Sequence, residues 1–455
     1  MHDFDTICVI SSAIGEAGIG VIRLSGPQAY PVLQRIFKPR KPVDSFSPRR
    51  LYLGHIVNPE TTQVVDEAFA VFMRKPFTYT REDMAEVFSH GGISPQRQII
   101  SLMIREGARV AEPGEFTKRA FLNGRIDLAQ AESVLDIIQS ESDEEARSAL
   151  QHLSGALTQK LGSIKESVKR GLANVEALID FPEEEIEIDR EETAALLEQA
   201  RHSLDGLVAS YTEGRAIKKG LDILIVGRTN VGKSSLLNAL LMEEKAIVTP
   251  LPGTTRDLIE DVLHVKGIKL RITDTAGLRH PRDIVEREGI ERVRKRIPEA
   301  DVILWVVDHA DDYTDEDEEI YRTIRTKKIV VAINKSDLAR KLPRDRLAEK
   351  NLPLMDVSAL TGAGLDELKL ALYGAAMGKK RKSPALLITN VRHRDALTKA
   401  RETVKRAIAL YRSAEPAELV AFELRDALSR IGEVTGETCT DDILNDIFSR
   451  FCIGK

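Results

Sequence analysis

The run Gly227-Arg228-Thr229-Asn230-Val231-Gly232-Lys233-Ser234 constrains this chain more than any other stretch. It follows the apolar segment Leu221–Val226 and leads into Ser235–Leu241, so the pattern predicts strand, loop, helix. In G-x-x-x-x-G-K-[S/T] loops the glycines let backbone N–H groups curl around phosphates. The lysine reaches the outer phosphate oxygens and the serine hydroxyl holds Mg²⁺. The start of the following helix adds its own attraction for an anion. The bland alternative, a chance glycine loop, is disfavoured by the strand and helix on either side.

Two later motifs sharpen the nucleotide. Asp274-Thr275-Ala276-Gly277 follows the alternating strand Leu270–Thr273, where an aspartate can accept from a Mg²⁺-bound water and a glycine amide can meet a γ-phosphate. An ordinary Asp turn is its alternative. Asn334-Lys335-Ser336-Asp337 follows the strand Ile329–Ile333, and the Asp337 carboxylate can accept from both N1–H and the amino group of guanine. Adenine has no such donor pair. Ser358-Ala359-Leu360, after Leu354–Val357, fits a backbone contact to the guanine oxygen. In this order and spacing the motifs predict a guanine-nucleotide hydrolase. Leu278 stands where many such proteins carry a water-orienting glutamine, and its side chain cannot hydrogen-bond water. Help must come from nearby, where Glu286 is either a water-positioning group or simply an exposed carboxylate at a helix start.

A chain of 455 residues is too long for one compact core and suggests about three domains. Its 42% hydrophobic and 30% charged content fits globular domains, and the net charge of −5 leaves any RNA contact to a local patch. Cys8, Cys439 and Cys452 form neither a disulfide framework nor a metal box, so a reducing cytoplasm is the default compartment. No apolar run approaches the roughly 18 residues needed to span a bilayer, and Met1–Ile10 does not read as a signal peptide.

Short β-branched runs at Thr6–Ile10, Gly20–Leu24, Glu67–Met73 and Met84–Phe88 predict a mixed sheet domain. Helical spacing follows over Leu128–Ser140, Glu144–Ile179 and on to about Tyr211, broken by Asp180-Phe181-Pro182 and an acidic run read as a solvated face. From Leu221 to about Met377 strands and helices alternate, with further strands at Val302–Val307 and Ile329–Ile333 and a helix at Leu365–Leu372, as in a parallel sheet. A basic linker, Gly378–Pro384, then returns to helical spacing from Arg392. Helices on both sides imply a nucleotide module inserted into a helical domain.

The segment Val248–Asp257, the Asp274–Arg279 run, Glu115–Leu135, Asp180–Glu184 and the ending Phe451-Cys452-Ile453-Gly454-Lys455 together resemble the MnmE (TrmE) family of bacterial tRNA-modification GTPases. The resemblance covers essentially the whole chain. It implies a multidomain α/β and α fold: an N-terminal α+β folate-binding-like domain (1–118), a helical domain in two segments (119–216 and 379–455), and an inserted P-loop G domain (217–378). It further implies a homodimer whose G domains meet during a K⁺-dependent hydrolysis. Carried over by position, Asn230, Val231, Gly232, Lys233, Ser234, Ser235, Thr249, Thr254, Thr255, Asp274, Thr275, Ala276, Gly277, Asn334, Lys335, Asp337, Ser358 and Ala359 would meet GTP. K⁺ would sit among the Asn230 side chain, the Thr249 and Leu251 carbonyls and Thr254, in the place of an arginine finger. Ser234 and Thr255 would hold Mg²⁺, and Glu286 would position the water.

The resemblance also implies a flavoprotein partner, MnmG, in a heterotetramer that modifies C5 of the wobble uridine of tRNA with an aminomethyl or carboxymethylaminomethyl group. A reduced folate, 5-formyltetrahydrofolate or a relative, would supply the carbon. Arg23, Glu86, Arg125 and Lys455 match its contacts, although Arg125 replaces a lysine and so keeps the charge but not the geometry. Cys452 would lie beside that pocket, either as a reactive thiol favoured by Arg450 and Lys455 or as a small hydrophobe among Phe448, Phe451 and Ile453. Rival classes are a ribosome-assembly GTPase, which shares Leu278 but needs no folate-like domain, and a binding module whose slow GTPase only reports state.

Overall fold

A computed structural model describes residues 5–180, 189–245, 262–274, 296–377, 386–451 and 454. The chain forms two compact units, one of residues 1–139, 149–202 and 396–455, the other of 140–148 and 203–395.

In the first unit, β1 (Thr6–Ile10), β2 (Gly20–Ser25), β3 (Phe37–Pro39), β4 (Leu51–Val57), β5 (Val64–Met73), β6 (Met84–Ser89) and β7 (Ala108–Val110) make a seven-stranded sheet in the order β3-β4-β5-β6-β2-β1-β7. Only β1 and β7 pair in parallel. Helices α1 (Ala29–Ile36) and α2 (Ile93–Arg105) bury Val32, Leu33, Ile99 and Met103 with Cys8, Ile22, Leu24, Val87 and Phe72 of the sheet in one core. Burial there pushes the Cys8 thiol up to about 12. The opposite face carries Ile7, Val9 and Met84, which meet Phe116 of α3 (Glu115–Leu122). That corner is fixed by a charge network: Arg109 binds Asp5 (2.5 Å) and Glu115 (2.5 Å), and Arg119 binds Asp5 (2.6 Å), Glu115 (2.9 Å) and Glu82 (3.1 Å).

The helical part of this unit contains α4 (Leu128–Gln139), the end of α5 (Asp143–Leu153), α6 (Ala156–Asp180) and the start of α7 (Arg190–Lys219). The spacing predicted one stretch over Glu144–Ile179, but Gly155 at φ 86° caps α5 and divides it from α6. Gly171 lets α7 close in on α6, since a Cβ there would stand 2.6 Å from Leu197 Cδ2. The stripe Leu157, Leu161, Ile164, Val168 and Val175 is buried, and a later helix, Ala417–Thr435, packs on α6 with ion pairs Arg425–Glu176 (2.6 Å) and Lys165–Glu437.

The second unit holds β8 (Leu221–Val226), α8 (Lys233–Lys245), β9 (Val262–Val265), β10 (Ile268–Asp274), β11 (Val302–Asp308), α9 (Asp315–Ile324), β12 (Ile329–Asn334), α10 (Arg344–Ala348), β13 (Leu354–Asp356) and α11 (Leu365–Met377). Its sheet runs β13-β12-β11-β8-β10-β9, parallel except for β9, which forms an antiparallel edge with β10. β11 and β12 are buried along their whole length because both faces of the sheet are covered. Three further helices, α12 (Val391–Arg412), α13 (Ala417–Thr435) and α14 (Asp441–Ser449), complete the described chain. Among the described residues no helix is long and apolar enough to cross a membrane.

Candidate functional site

The nucleotide motifs converge at the carboxyl ends of β8, β10, β11 and β12, where an open parallel sheet presents its ligand crevice. Gly227 has φ 153°, and a Cβ on it would stand 2.3 Å from the Val306 carbonyl oxygen, so only glycine lets the loop leave β8 at that point. Asn230 (φ 62°) and Gly232 (φ 92°) then turn the chain through left-handed conformations into α8. Lys233, at the first turn, donates through Nζ to the Gly227 and Arg228 carbonyls (2.8 and 2.6 Å), bending back over the loop. Ser234 and Ser235 are exposed in the same turn. Arg228, within the loop, anchors it by ion pairs to the buried Asp317 (3.0 Å) and to Asp311 (3.1 Å).

The base motif is tied to this loop. Asn334 is buried, donates through Nδ2 to the Val231 carbonyl (2.9 Å) and accepts through Oδ1 from the Ala359 amide (3.1 Å). Lys335, at φ 66°, donates to the Asn230 carbonyl (3.1 Å) and pairs with Asp308 (2.5 Å). Asp337 is exposed, and the buried Ser358 hydroxyl donates to its Oδ1 (2.5 Å), orienting the carboxylate. The phosphate end and the base end are thus one hydrogen-bonded assembly.

Sequence reading missed Asp308, which pairs with Lys335, and the carboxylates Asp311 and Asp317 that hold Arg228. Asp308 is the register partner of Asn334, so the end of a strand beside the base motif was the available signal. Asp274 closes β10, opposite Ile225 of β8. Thr249, Leu251, Thr254, Thr255, Thr275, Ala276, Gly277 and Glu286 lie outside the described residues, as do Cys452 and Lys455. For the implied metals, the hydroxyl of Ser234 and the amide of Asn230 are both exposed beside the loop, and all the expected donors are oxygen, which suits Mg²⁺ and K⁺.

In the sheet domain Arg23 and Glu86 are cross-strand partners, joined Nε to Oε1 at 2.7 Å. Arg125 stacks over the Tyr79 ring at 4.6 Å. Gly454, at φ 110°, lies against the end of β1: a Cβ on it would stand 2.7 Å from the Ile10 carbonyl oxygen, and its own carbonyl accepts from Ser11 Oγ (3.2 Å). Since Val9 pairs with Arg23, Gly454 reaches the same end of the sheet.

Residues 6–125 match the family described as GTP-binding protein TrmE N-terminus, and residues 128–452 match the MnmE helical domain. The chain belongs to the MnmE family of tRNA modification GTPases. A relative so named from Thermoanaerobacter pseudethanolicus is 43% identical over 99% of this chain and 100% of its own. One from Geobacter sulfurreducens is 43% identical over 100% of each chain. MnmE membership makes the chain a GTP-hydrolysing enzyme of tRNA modification, with the nucleotide and Mg²⁺ use general to such GTPases.

Proposed function

We propose that this chain hydrolyses GTP in a K⁺-dependent manner through paired G domains of a homodimer, and that with the flavoprotein MnmG it modifies C5 of the wobble uridine of tRNA in the cytoplasm. The observation that supports this most is the Asn334 bridge from Val231 to Ala359, which ties the phosphate loop to the base motif. Domain limits of 1–118, 119–216, 217–378 and 379–455 go with this reading.

Within it, Asp337 recognises guanine while Lys233 moves from the loop carbonyls to the β/γ oxygens. Ser234 with Thr255 holds Mg²⁺, and Asn230, Thr249, Leu251 and Thr254 hold K⁺, which supplies positive charge where an arginine finger would stand. Glu286 positions the attacking water. In the sheet domain Arg23 and Glu86 bind the polar edge of a reduced folate, and Arg125 and Lys455 bind its carboxylates; the folate is the one-carbon source. Cys452 lies beside it.

The test is rescue of a bacterial strain lacking its own family member. Expression of this chain should restore the modified wobble nucleoside, read by mass spectrometry of hydrolysed tRNA. Unmodified uridine alongside normal GTP turnover and soluble expression would reject the reading.

A further inference from the structure

The sheet domain carries an open cleft of about 690 Å³. Val71, the cross-strand neighbour of Glu86, lines it together with Met73, so its apolar floor lies one strand from the Arg23–Glu86 pair. Its walls carry the guanidinium groups of Arg49, Arg81 and Arg125.

Each of these is aimed by a backbone carbonyl: Arg49 Nη2 donates to Phe77 (2.7 Å), Arg81 Nη1 to Asn123 (2.9 Å) and Arg125 Nη1 to Tyr79 (3.3 Å). None pairs with a carboxylate among the described residues, although ion pairs are common elsewhere in the unit. Arg49 and Arg81 also sit at φ 63° and 60°, a backbone conformation disfavoured for residues with a Cβ. Held by carbonyls and with no carboxylate partner among the described residues, Arg49 and Arg81 keep further N–H donors for an anion in the cleft. The exposed Phe77 ring beneath Arg49, at 5.9 Å, adds a flat apolar surface.

A folate with a single glutamate carries two carboxylates, whereas this cleft offers three guanidinium groups. Each additional γ-linked glutamyl residue brings one more carboxylate on an apolar spacer, which matches cations spread over an apolar floor. We infer that Arg49 and Arg81 extend the folate site into a subsite for γ-linked glutamyl residues, so that the protein takes polyglutamylated reduced folates in preference to the monoglutamate. This rests on the folate reading of Arg23, Glu86 and Arg125.

Calorimetric titration of the full-length chain with 5-formyltetrahydrofolate and with its γ-linked triglutamate tests it. The triglutamate should bind about tenfold more tightly, with the gap closing as salt rises to about 0.5 M. In Arg49→Gln/Arg81→Gln it should fall to the affinity of the monoglutamate, which itself stays within about twofold of wild type. Arg49→Lys, which keeps the charge, should retain part of the preference and guards against a folding artefact. Equal affinities in the wild-type chain would overturn the subsite and leave the folate reading standing. Failure of both ligands to bind would overturn both. A preference that survives in the double variant, while its tRNA affinity falls, would overturn the assignment in favour of an RNA contact.

Discussion

Gly232 lies directly against the side chain of Asn334: a Cβ on Gly232 would stand 2.3 Å from Asn334 Nδ2. The phosphate loop can therefore keep its shape only with glycine at 232, and Asn334 uses the vacated space to reach Val231. Asn334→Ala leaves a buried carbonyl and the Ala359 amide without their partner, at a cost of about 1–3 kcal/mol. GTP and GDP should both bind about tenfold or more weakly in this variant, read with a fluorescent GDP analogue. Wild-type affinity would show that the bridge does not order the loop.

Asp337 sets the base. Asp337→Asn replaces an acceptor pair with an amide, which can donate to the 2-oxo group that xanthine carries in place of guanine's amino group. The variant should lose GTP affinity and gain XTP affinity, a crossover that competition binding measures. Equal losses for both nucleotides would point to damage through the Ser358 bond instead.

Asn230→Ala should bind nucleotide normally but hydrolyse GTP at the same low rate in K⁺ and Na⁺, whereas the wild-type chain should be fast only in K⁺ and faster at higher protein concentration. Identical wild-type rates in the two salts would remove K⁺ from the mechanism.

Glu286→Ala should leave GTP affinity nearly unchanged and lower turnover by about 10²–10⁴. Cys452→Ser should abolish tRNA modification without changing GTP turnover, and Cys452→Ala decides the cause. Modification at the wild-type level in the alanine variant would assign the thiol a packing role.

The network around Asp5 predicts acid sensitivity. Burial opposes the charged forms of Asp5 and Glu115, but hydrogen bonds from Arg109 and Arg119 outweigh it and hold both carboxyls below their usual range. A depressed folded-state value contributes stability that is present above the unfolded value of about 4 and is lost as pH falls through the folded one. Melting temperature should thus drop below about pH 4. Arg119→Met should destabilise at neutral pH by roughly 3 kcal/mol and flatten that acid limb, as thermal melts across pH would show.

How far the sequence reaches depends on the range of each interaction. The strand ends bearing Asp274 and Asn334 were legible because β-branched runs and motif spacing are local. β4 was not read, because Gly54 interrupts its alternation; yet a Cβ at Gly54 would stand 2.2 Å from the Lys38 carbonyl oxygen, so β3 can cross only a glycine. The β9–β10 hairpin was missed although Lys266-Gly267, at φ 51° and 76°, is a two-residue turn pair. Nothing local couples Arg228 to Asp311, 83 positions away, or aims Arg49 and Arg81 into one cleft. Those relationships exist only once distant loops meet.

The pairing of α6 with α13 has a consequence for synthesis. Arg425 meets Glu176 across 249 positions, and the whole nucleotide module is made between them. At bacterial elongation rates of about 5–20 residues per second, α6 therefore waits on the order of 10–50 s for its partner. During that time α6 has α7 but not yet α13 to pack against, while the module between can already assemble its own sheet. A chain stopped shortly after residue 395 would carry a finished nucleotide fold attached to a helix still lacking its α13 partner, a species for chaperones and proteases rather than a smaller working enzyme.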